Sequence, residues 1–331
     1  MIIINMCEMK FYSDDYEVDL DDHKSLERRK KLLREIIPKK AVIHSTSKSS
    51  SKERFSVRRK ILTLCAVLTL FAGCGGAGSR EFDNGGPIRS ESVNSSVESK
   101  VSIVNPAGED LESRIMAPEG YIRTAEEKGS LGDFLRNYKM LPDGSPVMLY
   151  NGKPRTYDAS VCVFDMYLGN KDLQQCADSI MRIYAEYLKT SGREGNIAFH
   201  LADGSLCDWN TYKNAGSSFE SYLEKVYTYA GTFTMQDECV KTSIEKLQIG
   251  DVFIKGGSPG HVVMVADMCE KGGKKAFLLA QGYMPAQQFH ILKNPLHDND
   301  PWYYEDEVLY PFTTPEFTFP EGSLMHPTYL D

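Results

Sequence analysis

Residues 250–281 read GDVFIKGGSPGHVVMVADMCEKGGKKAFLLAQ, and this stretch decides the fold. Two apolar, β-branched runs, 251–255 and 260–268, flank the loop GGSPG, and a third, 276–281, follows the pair Gly272-Gly273. Short apolar runs bounded by Gly and Pro read as buried strands, and Gly-Gly between two of them reads as a hairpin turn. The middle strand opens with His261, which the glycine loop delivers to an end of the sheet. In a hairpin closing over residues 270–273, cross-strand partners sum to about 542–544, which puts His261 and Gln281 on one face, opposed or one pair apart. A bulge or an odd register would turn Gln281 to the other face.

Working outward, Ser130-Leu131-Gly132-Asp133 followed by FLRNYKML predicts a short helix with a serine cap. Turn signals PDG and NGKP around VMLY predict a small hairpin over 142–157, and SVCVFDMYL predicts a strand over 160–168. The clearest helix covers 172–189, where Leu173, Cys176, Ala177, Ile180, Tyr184, Tyr187 and Leu188 form one apolar stripe. Residues 197–201 read as a strand, and 219–229 and 235–246 as helices. The proline- and aromatic-rich end of the chain reads as an extended wrap. Helices in the first half leading into an antiparallel sheet define an α+β fold.

Three residues of this layout could act together. Cys176 lies near the start of the long helix, where the macrodipole favours a thiolate. His261 titrates near neutrality and can take a thiol proton and return it to a leaving group. The amide oxygen of Gln281 can accept the imidazole N–H and fix its tautomer, completing triad logic. Asp267, on the same strand, is an alternative orienter but stands some 20 Å along it. Taken singly, Cys176 on an apolar stripe reads as core packing and His261 as a loop anchor.

The order Cys-bearing helix, Gly260-His261 on a strand, polar residue on the next strand, with Gly250-Asp251 ahead of the histidine, resembles the NlpC/P60 cysteine peptidases. That resemblance implies a papain-like α+β domain with the nucleophile helix against an antiparallel sheet. It also implies cleavage of amide bonds in bacterial cell-wall peptides by Cys176, His261 and Gln281. Members of that superfamily carry Asp-Cys-Ser-Gly where this chain has Gln175-Cys176-Ala177-Asp178. A longer match is carried by GSPVMLYNGK, LGNKDLQQCADSIMR, IGDVFIKGGSPGHVVMVADM and FLLAQGYMPAQQFHILKNP, which resemble the bacterial domain of unknown function 4846. That family implies no particular chemistry. A lipoprotein that binds peptide, glycan or an envelope partner through a degenerate peptidase fold is the alternative to a hydrolase.

Residues 57–74, VRRKILTLCAVLTLFAGC, combine basic residues, a short apolar run and small residues before a cysteine, the pattern of a secretory signal. The run is too short to span a bilayer permanently. It resembles a bacterial lipobox, which implies cleavage before Cys74, acylation of Cys74 and a lipid bilayer as partner. Gly75 in place of Asp points to the outer membrane or periplasm under the rule of that family. Residues 1–56 show no sign of a packed domain, and translation is expected to start at Val57. Residues 74–110 are Gly/Ser/Asn-rich and read as a flexible tether, leaving 111–331 as one globular domain. From Cys74 onward the chain holds 23 basic and 36 acidic residues, which argues against nucleic acid as a partner.

Cys162, Cys207, Cys239 and Cys269 lack CxxC spacing and read as up to two disulfides or as four free thiols. His200 and His290 have no ligand partners nearby in sequence. No phosphate loop or dinucleotide fingerprint occurs, so neither a metal nor an organic cofactor is expected. Trp209, Trp302, Tyr303 and Tyr304 could line a groove or fill a core.

Overall fold

The computed structural model of this chain describes residues 102–330. The readings of the signal segment, of Cys74 and of the chain start lie outside the described residues, as does most of the tether. The helices are α1 (Leu111–Arg114), α2 (Leu131–Arg136), α3 (Cys176–Thr190), α4 (Trp209–Asn214), α5 (Phe219–Tyr229) and α6 (Thr232–Asp237). The strands of the first half are β1 (Ile122–Arg123), β2 (Ser160–Val163), β3 (Ala198–His200) and β4 (Leu206–Asp208). Those at the centre are β5 (Cys239–Lys241), β6 (Val252–Lys255), β7 (His261–Lys271), β8 (Lys274–Gln281) and β9 (His290–Leu292). The last four are β10 (Tyr303–Tyr304), β11 (Phe312–Thr313), β12 (Thr318–Phe319) and β13 (Leu324–Pro327).

The main sheet runs β2-β9-β8-β7-β6-β13-β5, with β1 beside β7 and β10 beside β8, and every pairing is antiparallel. Helices against an antiparallel sheet make this an α+β fold. Helix α3 packs on β7 and β8, its Ile180, Ile183, Tyr184 and Leu188 fully buried. The Tyr184 hydroxyl donates to the Gly250 carbonyl at 2.7 Å, tying that helix to the turn before β6. The face that carries Phe253 and Phe277 is covered by the hairpin β11–β12, with Phe253 4.5 Å from Phe312 between ring centres.

The predicted meander is present, with a finer detail. Gly272 and Gly273 both have positive φ, and Lys271 faces Lys274 across them. That turn sets an odd register, Lys271↔Lys274 through Asp267↔Leu278, which would oppose Gln281 to Met264 and turn it away from His261. A bulge between Val265 and Asp267 restores Val265↔Leu279 and Met264↔Ala280. Beyond the bulge, Gln281 shares the face of His261, one pair off.

Three local expectations are corrected. The long helix begins at Cys176, not at 172, because Asp172 binds outside it: Asp172 Oδ1 accepts from Ala286 N–H at 2.7 Å and from the Gln175 side chain at 2.9 Å. Residues 235–246 are not one helix, since Cys239–Lys241 is drawn into the sheet by β13. The small hairpin over 142–157 is present in reduced form, one antiparallel bridge Met148↔Pro154 flanked by Leu149 N–H to the Lys153 carbonyl and Arg155 N–H to the Val147 carbonyl, both 2.8 Å. The chain end is more than a wrap, because β13 pairs with both β6 and β5.

Asp267 is a structural anchor. Fully buried, its carboxylate accepts from Arg123 Nε at 2.7 Å and from Arg136 Nε at 2.8 Å, fastening the 111–140 region to β7. Trp209, Trp302 and Tyr303 are buried in the core, where the Trp302 indole donates to the Met116 carbonyl at 2.9 Å. Among the described residues all five cysteines are free thiols, and no helix is long and apolar enough to cross a membrane.

Candidate functional site

The GGSPG loop positions His261 by close packing. A Cβ on Gly260 would collide with the Gly257 carbonyl, lie 2.6 Å from Thr232 Oγ1 and 2.8 Å from the Lys255 carbonyl, so only glycine fits. Gly256 N–H donates to Gln236 Oε1 at 2.6 Å, which ties the loop to α6. His261 then opens β7 opposite Lys255. Its ring is buried under Tyr283, Phe317 and Phe319, at centroid distances of 4.7, 5.2 and 6.0 Å.

His261 Nε2 and Gln281 Oε1 are 2.7 Å apart. The Gln281 amide nitrogen in turn donates to Glu316 Oε2, and Glu316 Oε1 pairs with Arg155 Nη2. An amide oxygen only accepts, so Nε2 carries the proton of the neutral ring and Nδ1 is its basic nitrogen. Burial pushes the His261 imidazole down to about 4, against a smaller opposing effect of the Gln281 hydrogen bond, so the ring is neutral at pH 7. His290, opposite Gln281 on β9, is also fully buried. Its Nδ1 lies 2.9 Å from the Gln288 carbonyl, and burial sets it too at about 4.

Cys176 is the first residue of α3, half-buried, with Asp178 Oδ2 accepting from the Gln175 N–H at 3.0 Å. The backbone N–H groups of Ala177, Cys176 and Val262 approach its sulfur and favour the thiolate. Burial, joined by the Asp178 carboxylate, outweighs them and pushes the thiol up to about 12. The resting pair is therefore neutral thiol and neutral imidazole. Gly282 lets the helix start approach the sheet: a Cβ there would strike Ser179 Oγ and lie 2.9 Å from the Gln175 carbonyl. Gly282 faces α3, so Gln281 and His261 face the C-terminal hairpin, and the thiol lies near Val262 at the end of the sheet. Cys176 and His261 make no hydrogen bond to each other among the described residues.

Of the three residues singled out in the sequence, His261 and Gln281 are in direct contact and Cys176 stands beside the residue that follows His261. Gly250 and Asp251 serve the fold. Gly250 has φ +96° with Leu131 packed on it, and Asp251 is buried with Oδ1 2.6 Å from His326 Nδ1. Glu316 and Arg155 were not legible in the sequence, since one sits in the TTPEFTF stretch and the other in a turn, neither in a recognisable pattern. Among the described residues no group of three or more His, Cys, Asp or Glu is arranged to hold a metal ion.

Fold and site together define an α+β protein with a histidine–amide pair buried at a sheet end, beside a cysteine that opens a helix. The chain belongs to the family of the domain of unknown function 4846, whose model matches residues 111–217 and 213–326. No curated protein and no solved structure matches it.

Proposed function

We propose that this chain is a thiol hydrolase of papain-like, NlpC/P60-like design that cleaves amide bonds, with cell-wall peptide as the substrate class. It is exported and held to the outer membrane by lipid on Cys74. The observation that carries the reading is the conjunction of a cysteine at the first position of a helix packed on β7 with His261 at the start of that strand, its tautomer fixed by Gln281. The anchor rests on the basic, apolar and small-residue pattern of 57–74.

In the reaction His261 Nδ1 takes the proton of Cys176 as the sulfur attacks the carbonyl carbon. The resulting oxyanion lies at the N-terminus of α3, within reach of its first-turn backbone N–H groups. The imidazolium returns its proton to the departing amine, and water then hydrolyses the thioester, again with His261 as base. Cys176 and His261 make no hydrogen bond in the free protein, so this step requires the two side chains to meet when substrate binds.

A second reading is favoured by one observation: Phe317, Phe319 and Tyr283 cover the imidazole, and the thiol is held neutral. Under that reading the protein binds envelope peptide or glycan without turnover. Digestion of defined cell-wall peptides, followed by mass spectrometry, separates the two. Turnover by the wild type that Cys176→Ala abolishes, with unfolding unchanged, supports the hydrolase; turnover that survives the substitution refutes it. Peptide binding without turnover supports the second reading.

A further inference from the structure

The geometry points to Glu316 as a positioning residue that selects which nitrogen of His261 carries the ring proton, by orienting the Gln281 amide. The inference rests on reading His261 as the base of the site and adds two residues to it, Glu316 and its anchor Arg155.

Each link in the row Arg155–Glu316–Gln281–His261 has a forced direction. A guanidinium only donates and a carboxylate only accepts, so Arg155 Nη2 donates to Glu316 Oε1 and the other oxygen must also accept. The amide of Gln281 has one donating and one accepting end. Its nitrogen is taken by Glu316, so its oxygen faces the imidazole, and His261 Nε2 must donate to it at 2.7 Å. Reversing the amide would set a carbonyl oxygen against a carboxylate in a place where Gln281 is fully buried and water cannot intervene. The side chains of Arg155 and Glu316 are only 5% and 7% exposed, so this row is shielded along its whole length. The turn that carries Glu316 is itself fixed: Thr314 N–H donates to the Phe317 carbonyl at 2.9 Å and the Tyr283 hydroxyl to the Glu316 carbonyl at 3.3 Å.

The isosteric substitution Glu316→Gln inverts this logic. Arg155 still only donates, so it claims the one remaining oxygen at position 316, and the new NH2 group faces Gln281. Gln281 must then offer its oxygen to position 316 and its nitrogen to His261. Nε2 becomes an acceptor, and the ring proton moves to Nδ1, the nitrogen that has to stay free to receive the thiol proton. In the Ser-His-Asp triad, the analogous change of an orienting carboxylate to its amide costs about 10⁴-fold in turnover.

The test is long-range proton–nitrogen NMR of the full chain labelled at histidine, with His261 assigned by its loss in His261→Gln. The expected result is Nε2–H in the wild type, Nδ1–H in Glu316→Gln, and Nε2–H retained in Arg155→Lys, whose ammonium also only donates. An unchanged tautomer in Glu316→Gln overturns the inference. So does Nδ1–H in the wild type, a result that does not need Glu316→Gln to fold. The spectra do not depend on turnover: a tautomer exchange in a protein that cleaves no amide would sink the hydrolase reading and leave the role of Glu316 standing.

Discussion

Acid should weaken this fold through two imidazoles, and one substitution should halve that part of the effect. His261 and His290 are buried and sit at about 4, against 6.5 for an ordinary histidine. Burial is the main cause for both; Arg155 and His261 push His290 further down, while the Gln288 carbonyl and Asp158 oppose the shift. A lowered histidine means that the unfolded chain takes the proton first. The stability these groups contribute is complete above pH 6.5 and drains away as pH falls toward 4. Integrating the proton uptake from pH 7 to pH 5 gives a loss of about 2 kcal/mol per histidine, hence about 4 kcal/mol for the pair. His290→Gln removes one of the two, so its loss over the same interval should be smaller than that of the wild type by about 2 kcal/mol. Carboxylates such as Asp251 titrate alike in both proteins and cancel in the difference. Urea unfolding at the two pH values supplies the numbers, followed by the fluorescence of Trp209 and Trp302, both buried in the core. Equal losses in wild type and variant would refute the claim that His290 is held neutral by its surroundings.

Two further perturbations test the frame around the site. Asp267→Ala would leave Arg123 and Arg136 facing a buried void, a loss of about 3–5 kcal/mol in the same urea assay, whereas a loss below 1 kcal/mol would show the anchor to be idle. Gly282→Ala would force the start of α3 away from the sheet, costing about 1–3 kcal/mol. It should also make Cys176 react faster with iodoacetamide as the sulfur leaves its burial; an unchanged rate would contradict the packing described.

The parts of this fold that follow from short-range pattern were legible before the structure. The helix Phe219–Tyr229 begins and ends where its apolar spacing predicts, after the Ser218 cap. The meander β6–β7–β8 is present with its Gly-Gly turn. What the pattern could not carry is set by contacts between distant segments. The start of α3 depends on Asp172 turning to Ala286, and the end of α6 on a strand formed more than eighty residues later in the chain. The pairing of His261 with Gln281 was expected from parity, yet the turn alone gives the wrong parity and the bulge at 265–267 corrects it. Glu316 and Arg155 act only because the chain folds back on itself, and neither belongs to a local signature.

The placement of β13 bears on the order of assembly. Met325 faces Val252 on one side and Lys241 on the other, so β5 and β6 are joined only through this late strand. As a ribosome delivers the polypeptide from its N-terminus, both edges wait with unsatisfied amides for the same arriving segment. Glu316, Phe317 and Phe319 emerge just ahead of it. The histidine pocket and the main sheet are thus completed within one short interval, and a product cut before Leu324 would leave the facing borders of β5 and β6 exposed.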